Sequence, residues 1–337
     1  MRSVLVVIPT LNEVQTIGPV LEALAADPPA DATLQFVVAD GGSSDGTVER
    51  VRELMRQRPD LALLHNPERI QSAAVNRAVL AHGGTAEVLI RCDAHALYPP
   101  GYCGRLLQLL DRSGADAVVV PMDSVGHSCF QKAVAWVSDT PTGSGGSAHR
   151  GGHRSGFVDH GHHAAFRMAS FRRAGGYDPS FTHNEDAELD CRQRALGARI
   201  YLDAQTRVAY HPRATADGLV RQYFRYGMGR SRTVRRHPDS LRLRQLVVPL
   251  HLLLSLAALV LAPWLTMLLW WPLAYLGVLA GTSLALAWRH RSTCALLAGP
   301  AAALMHTAWA LGFFWGCFTV RERRWMVADA AIGAGGT

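Results

Sequence analysis

The sequence predicts a doubly wound α/β domain that is followed by C-terminal hydrophobic helices. Three observations support this fold class. Strand-like and helix-like segments alternate before residue 240, polar clusters follow the predicted strands, and residues 246–320 are almost continuously apolar. Alternating strands and helices are typical of a mostly parallel sheet with helices on both faces, and such sheets bind ligands beyond the carboxyl ends of their strands.

The predicted strands are short apolar runs that end at polar residues. Ser3–Pro9 ends in proline, Leu34–Ala39 ends before Asp40, and Val88–Cys92 ends before Asp93. Such runs are typical of buried parallel strands. The expected helical segments are one from Asn12 or Thr16, one in the helix–strand round at 48–64, and one at Ser72–Ala81.

Two later stretches are predicted with less regular patterns. Thr142–Gly161 is rich in glycine, serine and histidine, and we expect no regular element there. A flexible lid over the active site is the preferred interpretation, with plain disorder as the alternative. Its irregularly spaced histidines, without nearby cysteine, do not favour a zinc site. Arg199–Ala209 is predicted to be one strand.

The apolar region divides into residues 246–261, 265–288 and 294–320. The last two are long enough to span a hydrocarbon core of about 30 Å, whereas the first is marginal. We therefore expect one domain at 1–240 and a membrane region with two or three hydrophobic helices at 241–337. A hydrophobic helical domain buried in a soluble protein is the less favoured alternative.

The topology of the third apolar segment is left open by the charges that flank it. Residues 289–291 and 321–324 are both rich in arginine and both look cytoplasmic, because basic residues are enriched in cytoplasmic loops. Two cytoplasmic ends conflict with a simple third crossing. A re-entrant or interfacial third segment would resolve the conflict.

The net charge of +7 comes from arginine, since Lys132 is the only lysine. Many arginines lie between residues 221 and 244, just before the apolar region. No nucleic-acid recognition motif accompanies them, so we expect contact with membrane lipids and no nucleic-acid partner. The six cysteines show no CxxC pair, which favours unpaired, mostly buried thiols in a reducing compartment. Val4–Ile8 is too short for the apolar region of a signal peptide.

Asp40 and Asp45 flank a Gly-Gly-Ser-Ser turn after a predicted strand. Small residues let the backbone approach a ligand, and a carboxylate can accept hydrogen bonds from a base or ribose. The alternative is an ordinary turn in which an aspartate caps the helix from Thr47. The local sequence does not decide between these two interpretations.

Asp93 and His95 alternate at a strand end, so both can point at one ion. A divalent cation neutralises the charge that develops on a diphosphate leaving group. A carboxylate beside an imidazole is compatible with Mn²⁺ or Mg²⁺ and shifts the preference slightly toward Mn²⁺. The alternative is a capping aspartate with a surface histidine.

Glu185 and Asp186 lie about ninety residues further on, before a helix-like pattern. Carboxylates in the first turn of a helix are favoured by its dipole, which is one explanation. The functional explanation is a general base within reach of an acceptor hydroxyl. Asp186 is the better candidate, with Glu185 orienting the acceptor or the loop. His211, after the predicted strand at 199–209, is a possible third metal ligand.

Several motifs together resemble those of family 2 glycosyltransferases. They are Val4–Glu13, the Asp40–Thr47 turn, Asp93-Ala94-His95, Asn184-Glu185-Asp186 and Gln222–Tyr226, and they occur in the order typical of that family. The arrangement looks most like exopolysaccharide enzymes that pair a GT-A (Rossmann-like) domain with C-terminal membrane segments. The motifs cover residues 1–230, and the remainder is similar only in architecture.

The resemblance implies roles for individual residues. The nucleotide-sugar pocket would be lined by Pro9, Thr10, Asn12, Glu13, Asp40, Asp45 and Asp93. The divalent metal ligands would be Asp93, His95 (in place of the usual second aspartate) and His211, and Asp186 would be the base, supported by Glu185. The acceptor or product would contact Gln222, Arg225 and Tyr226, where tyrosine replaces the tryptophan of processive synthases, so processivity is not implied.

The function predicted from these residues is an inverting glycosyltransferase of the bacterial inner membrane, with a cytoplasmic catalytic domain. It would move a hexose such as glucose from a UDP-sugar donor to a lipid-linked saccharide in exopolysaccharide synthesis. One alternative is a polyprenyl-phosphate glycosyltransferase, and another is a catalytically silent membrane scaffold that binds nucleotide sugars. The sequence does not determine the donor sugar, the linkage or the oligomeric state.

Overall fold

A computed structural model of the chain describes residues 1–145, 154–322 and 325. It divides into two compact units. Of the described residues, the first unit contains 1–122, 154–210 and Trp325, and the second contains 123–145 and 211–322. The predicted domain boundary after residue 240 stays a prediction.

The strands of the described part, in chain order, are β1 (Arg2–Thr10), β2 (Ala32–Asp40), β3 (Leu61–His65), β4 (Val88–Arg91), β5 (Ala117–Val120), β6 (Met122–Ser124), β7 (Gly156–Val158), β8 (His162–Arg167), β9 (Ile200–Leu202) and β10 (Val208–Tyr210). Eight of them form one sheet in the order β3-β2-β1-β4-β8-β5-β9-β7. β1 to β4 pair in parallel, whereas β8 runs antiparallel to its neighbours β4 and β5. The carboxyl ends of β1, β2 and β4 therefore meet at one edge of the sheet.

The helices of the described part are α1 (Ile17–Ala25), α2 (Thr47–Met55), α3 (Gln71–His82), α4 (Tyr102–Ser113), α5 (Cys129–Ser138), α6 (Pro141–Ser144), α7 (Met168–Arg173), α8 (Glu185–Ala195), α9 (Ala216–Arg236), α10 (Leu243–Leu261), α11 (Trp270–His290) and α12 (Ala298–Thr319). Short 3-10 turns precede α11 at Thr266–Leu269 and α12 at Thr293–Leu297.

Apolar side chains cover both faces of the sheet in the first unit. Along β1, Val4, Val6 and Ile8 pack in one core cluster, which includes residues of α1 and α4. Leu5 and Val7, which alternate with them, pack in a second cluster with residues of α3 and α7. A strand buried on both faces is what a doubly wound parallel sheet requires. The predicted fold class is confirmed for this part of the chain.

Three helical segments of the second unit are long and apolar enough to span a membrane: 243–261, 266–290 and 293–319. They match the three predicted apolar segments. The first segment begins three residues earlier than predicted and so reaches a spanning length. Large apolar side chains of α10 and α11 are widely exposed, as expected of helices whose solvent is lipid.

Three expectations from the sequence are wrong. Residues 142–161 do contain regular elements, because α6 ends at Ser144 and β7 pairs with β9; the lid interpretation falls largely on 146–153, outside the described residues. The stretch 199–209 forms two strands, β9 and β10, instead of one, because Asp203 accepts hydrogen bonds from Thr206 and closes a turn between them.

The third wrong expectation concerns the cysteines. Cys129 at the start of α5 and Cys294 in the 3-10 turn before α12 form a disulfide, with their Cα atoms 4.9 Å apart. The two residues are separated by 165 positions in the sequence, so only the tertiary packing of α5 on this turn brings them together. Cys92 and Cys103 are free and buried, as predicted.

Candidate active site

The loops after β1 and β2 hold each other in place. The side-chain oxygen of Asn12 accepts a hydrogen bond from the Ser44 amide at 2.9 Å, and the Asn12 amide donates to the Ser43 hydroxyl at 2.8 Å. The Glu13 amide donates to the Thr47 hydroxyl at 2.8 Å. Asn12 has a positive φ of 57°, a conformation that asparagine adopts more readily than most residues. The two predicted nucleotide-binding segments thus form one preordered surface.

Asp40 and Asp45 shape the second of these loops. Asp40 accepts hydrogen bonds from the amides of Gly42 at 2.8 Å and Ser43 at 3.0 Å, and Asp45 accepts one from the Thr47 amide at 3.0 Å. Both aspartates therefore stabilise this turn, which is the structural one of the two interpretations that the sequence leaves open. Their predicted contacts with a nucleotide stay predictions.

Pro9 and Thr10 end β1 beside these loops. Thr10 is buried, and its hydroxyl donates to the carbonyl of Ile8 at 2.9 Å. The Thr10 hydroxyl is therefore engaged within the strand end, and the predicted nucleotide contacts of Pro9 and Thr10 stay predictions.

Asp93 follows β4 and is surrounded by hydrogen-bond donors. Its Oδ1 accepts a hydrogen bond from Gln71 Nε2 at 2.8 Å and lies 3.6 Å from Arg91 Nη2. Its Oδ2 lies 3.5 Å from His162 Nε2. Burial tends to raise the pKa of Asp93, but the positive charges of His162 and Arg91 outweigh burial and hold its pKa below the usual value. Asp93 is therefore an anion at neutral pH.

Arg91, the last residue of β4, joins the two acidic clusters. Its side chain is only 4% exposed, and it forms a 2.5 Å ion pair with Asp186. Its Nη2 also lies 3.8 Å from Glu185. Residues 91 and 186 come together because β4 ends beside the first turn of α8. Arg91 is thus a common partner of Asp93, Glu185 and Asp186.

Glu185 and Asp186 open α8, as the sequence pattern predicts. Asn184 precedes the helix with a positive φ of 66°. Asp186 Oδ1 also accepts a hydrogen bond from the Tyr177 hydroxyl at 2.9 Å, while its Oδ2 lies 3.8 Å from His162 Nδ1. Burial, and then the charge of Asp186, raise the pKa of Glu185 to about 7. Glu185 is therefore only partly ionised near neutral pH.

The predicted metal ligands are only partly gathered. His95 is largely exposed, and its Nδ1 lies 2.8 Å from Glu13 Oε1. Within the described residues, no group of three or more histidine, cysteine, aspartate or glutamate side chains is arranged to hold an ion. Mg²⁺-type sites often use one or two carboxylates and take further oxygens from substrate phosphates. The donor chemistry of Asp93 and His95 fits such a shared site.

The remaining predicted site residues lie in the second unit. His211 Nδ1 lies 2.8 Å from the Val125 carbonyl, and the imidazole packs on His127. On α9, the Gln222 amide donates to the Tyr226 hydroxyl at 2.9 Å, and Arg225 is exposed. Their predicted roles in metal and acceptor binding stay predictions.

Sequence reasoning missed four residues of the site: Gln71, Arg91, Tyr177 and His162. A usable signal existed for Arg91, because a charged residue at the end of the apolar run Val88–Ile90 must find a partner if it is buried. His162 directly follows the histidine-containing stretch 142–161, and its spacing does not set it apart from the histidines there. No local pattern marked Gln71 or Tyr177.

The chain was compared with known proteins. Residues 5–175 match the domain described as Glycosyl transferase family 2. The succinoglycan biosynthesis protein ExoA of Rhizobium meliloti (strain 1021) is 43% identical over 326 residues, which are 95% of this chain and 97% of that protein.

Two solved structures resemble the fold. The mannosyltransferase PcManGT from Pyrobaculum calidifontis, in complex with GDP-Man and Mn²⁺, has a TM-score of 0.57 and 23% identity and covers 90% of this chain and 86% of its own. GalNAc-T7 with UDP, GalNAc and Mn²⁺ has a TM-score of 0.50 and 15% identity, over 71% of this chain and 51% of its own. At these identities the likeness concerns the fold alone, and it confirms the predicted GT-A type.

Proposed function

Because the chain belongs to glycosyl transferase family 2 and is a glycosyltransferase, we propose that it moves a hexose such as glucose from a UDP-sugar to a hydroxyl of a lipid-linked saccharide. The relation to ExoA supports a role in succinoglycan-type exopolysaccharide synthesis. The three apolar helices support membrane association, and we assign the protein to the bacterial inner membrane with a cytoplasmic catalytic domain.

One observation carries the chemical part of the proposal. Arg91 and His162 bring two carboxylates into one buried cluster. Asp93 follows β4, and Asp186 lies in the first turn of α8. A displacement reaction at a sugar carbon needs both a group near the departing diphosphate and a base near the incoming hydroxyl. The two carboxylates supply these two positions.

Asp186 is assigned as the base. Arg91 and Tyr177 engage its Oδ1, and proton acceptance falls to Oδ2, on the side of His162. Burial and the charge of Asp186 raise the pKa of Glu185 to about 7, so it is only partly ionised at neutral pH, and its Oε1 lies 3.8 Å from Arg91 Nη2. It is assigned to support the acceptor or the loop before α8. Direct attack by the activated hydroxyl inverts the configuration at the sugar carbon.

Asp93 and His95 are the residues that would hold a divalent cation, Mn²⁺ or Mg²⁺, and His211 is kept as the predicted third ligand. When bound, such an ion neutralises the charge of the departing diphosphate. On the protein side, Gln71 and Arg91 fix the Asp93 carboxylate at 2.8 and 3.6 Å, so its orientation does not depend on a ligand.

The test is transfer by the full chain in purified membranes. UDP-sugars are offered with either a lipid-linked oligosaccharide or polyprenyl phosphate, and products are identified by mass spectrometry and by the NMR coupling of the new anomeric proton. Asp186→Asn should lose transfer while it retains UDP-sugar binding, and Asp111→Asn, an exposed aspartate on α4, is the control. Near-normal transfer by Asp186→Asn would remove the base assignment.

The same assay decides between the proposal and its rivals. Transfer to polyprenyl phosphate alone would replace the proposed acceptor. A product with retained configuration would contradict direct displacement. Failure to release UDP with every acceptor would favour the scaffold.

A further inference from the structure

Helices α9 and α12 pack against each other backbone to backbone. A Cβ added at Gly312 would overlap the Phe224 carbonyl, and one added at Gly227 would overlap the Trp309 carbonyl. A Cβ at Gly316 would collide with the Ser231 side chain. Small residues let two helices approach closely, and such packing fixes the position of one helix along the other. α9 and α12 therefore move and partition between water and lipid as one body.

The two helices have opposite chemistry. α12 carries no aspartate, glutamate, lysine or arginine over 22 residues, whereas α9 carries one aspartate and six arginines over 21. Phe224 meets α12 at Gly312, which at 1.5 Å per residue lies about 5 Å from the middle of that helix. The next residue, Arg225, is exposed. If α12 crossed a bilayer, Arg225 would be carried close to its centre, where a charged side chain is costly.

The C-terminal end of α12 is surrounded by arginines of α9. Arg235 donates hydrogen bonds to the carbonyls of Gly316 at 2.8 Å and Val320 at 2.6 Å. Arg232 and Arg236 pair with Glu322 at 2.6 and 3.0 Å. Carbonyls of the last helical turn need such donors, and these contacts hold the end of α12 in a polar environment.

The exposed surfaces of the three apolar helices also differ. Of the apolar window of α12, 44% is buried in the fold, compared with 11% for α10 and for α11. The exposed large side chains on the C-terminal half of α12 are Leu311, Trp315 and Phe318, which lie on one face at helical spacing. A single apolar stripe opposite a charged partner is typical of a helix that lies in the membrane interface.

The chain after α12 returns to the first unit. The Trp325 indole donates a hydrogen bond to the Gly175 carbonyl at 3.2 Å, and both residues belong to that unit. Five residues, 320–324, separate Thr319 from Trp325, and six Cα–Cα steps reach about 20 Å, which is shorter than the hydrocarbon core. This segment is therefore too short to cross a bilayer, and because Trp325 belongs to the first unit, the chain crosses an even number of times.

We propose that α10 and α11 form a hairpin that crosses the bilayer twice, whereas α12 lies in the interface under α9. The stripe Leu311–Trp315–Phe318 then dips into the lipid on the side of the catalytic unit. This arrangement places all three basic flanks, at 225–244, 289–291 and 321–322, on one side of the membrane. It accounts for a basic distribution that a third crossing contradicts, and it does not depend on the donor or the acceptor.

Reporter fusions to the full chain test the topology. A C-terminal green fluorescent protein should fluoresce as strongly as an N-terminal one, and C-terminal alkaline phosphatase should be inactive. Trp264→Cys, in the turn between α10 and α11, should be labelled in intact cells by a membrane-impermeant maleimide, above the background of the wild-type cysteines. An active C-terminal phosphatase would overturn the interfacial position of α12. Labelling of position 264 only after lysis would overturn the hairpin.

A pair of glycine variants tests the helix contact independently. Gly312→Leu should cause loss of folded, monodisperse protein on extraction, because it forces α9 off α12. Gly277→Leu on α11 is the matched control, since a Cβ there meets nothing within 4 Å and a leucine would point into lipid. Equal yields of the two variants would show that α12 does not need α9, and the interfacial assignment would then fail.

Discussion

Arg91 contacts all three carboxylates of the candidate active site, so its removal makes a sharp test of the site. The variant Arg91→Met keeps an unbranched stem of similar width but removes the guanidinium and its charge. Three carboxylates lie within 4 Å of the guanidinium, at 2.5 Å for Asp186, 3.6 Å for Asp93 and 3.8 Å for Glu185. We expect the Arg91→Met variant to lose folding stability and, as a consequence, transfer activity.

The magnitude follows from burial. The Arg91 side chain is 4% exposed, and removal of one partner from a buried ion pair costs about 3–5 kcal/mol, because the other charge is left without compensation. Glu185 does not enlarge this penalty: Arg91 lowers its pKa, so in the variant the pKa rises further above 7 and the carboxyl becomes neutral. For a unit of this size the melting temperature should fall by roughly 6–20 °C.

Thermal unfolding of the detergent-solubilised full chain, followed by tryptophan fluorescence at one scan rate, measures the effect. Arg77→Met is the matched control, because Arg77 and Glu68 form a 2.5 Å ion pair whose side chains are 43% and 41% exposed. Exposed pairs contribute about 0–1 kcal/mol, so the control should shift by a few degrees at most. If the two variants melt at the same temperature, Arg91 does not hold the site together and the charge argument is refuted.

Three further outcomes are expected. Glu185→Gln should flatten the pH dependence of the melting temperature. The folded-state pKa of Glu185 is about 7, above its unfolded value, so the protonated carboxyl stabilises the fold below pH 4.5 and this contribution is lost as the pH rises toward 7. An unchanged dependence of melting temperature on pH in the variant would contradict the raised pKa. Chelation with EDTA should abolish transfer in the UDP-release assay and Mn²⁺ should restore it at least as well as Mg²⁺, whereas full activity in EDTA would exclude the Asp93–His95 ion site. Peptide mapping of non-reduced protein should recover Cys129 linked to Cys294, and alkylation of both would show free thiols instead.

Much of the fold could be predicted because its signals are local. β1 is a continuous apolar run, which is the pattern expected of a strand that is buried on both faces. The predicted helix start at Thr16 is also confirmed, because Thr16 directly precedes α1. The errors arise where a distant partner decides the structure. β7 forms because it pairs with β9, some forty residues away, and the local sequence Gly156–Val158 does not predict that pairing. The disulfide likewise depends on packing that the cysteine spacing does not reveal.

The sequence predicts the two candidate carboxylates of the site but not the residues that lie between them. Asp93 and Asp186 each sit in a short motif next to a strand end or a helix start, and such motifs can be read one at a time. Arg91, His162 and Tyr177 have no motif of their own, and their role follows only from the distances that folding creates. Sequence reasoning therefore identified the candidate carboxylates but not the charged and polar groups that surround them.

The unequal environments of the three carboxylates bear on the proposed binding of an anionic donor. The proposed UDP-sugar would bring a diphosphate, which three ionised carboxylates would repel. Arg91 compensates one charge, and Glu185, with a pKa of about 7, is only partly ionised at neutral pH, so the cluster is less anionic than its composition suggests. The pKa of Asp93 stays low because His162 and Arg91 outweigh its burial, which keeps an anion where the proposed divalent cation would bind. Arg91 and Tyr177 both engage Oδ1 of Asp186, the proposed base, which leaves its Oδ2 as the oxygen to accept a proton.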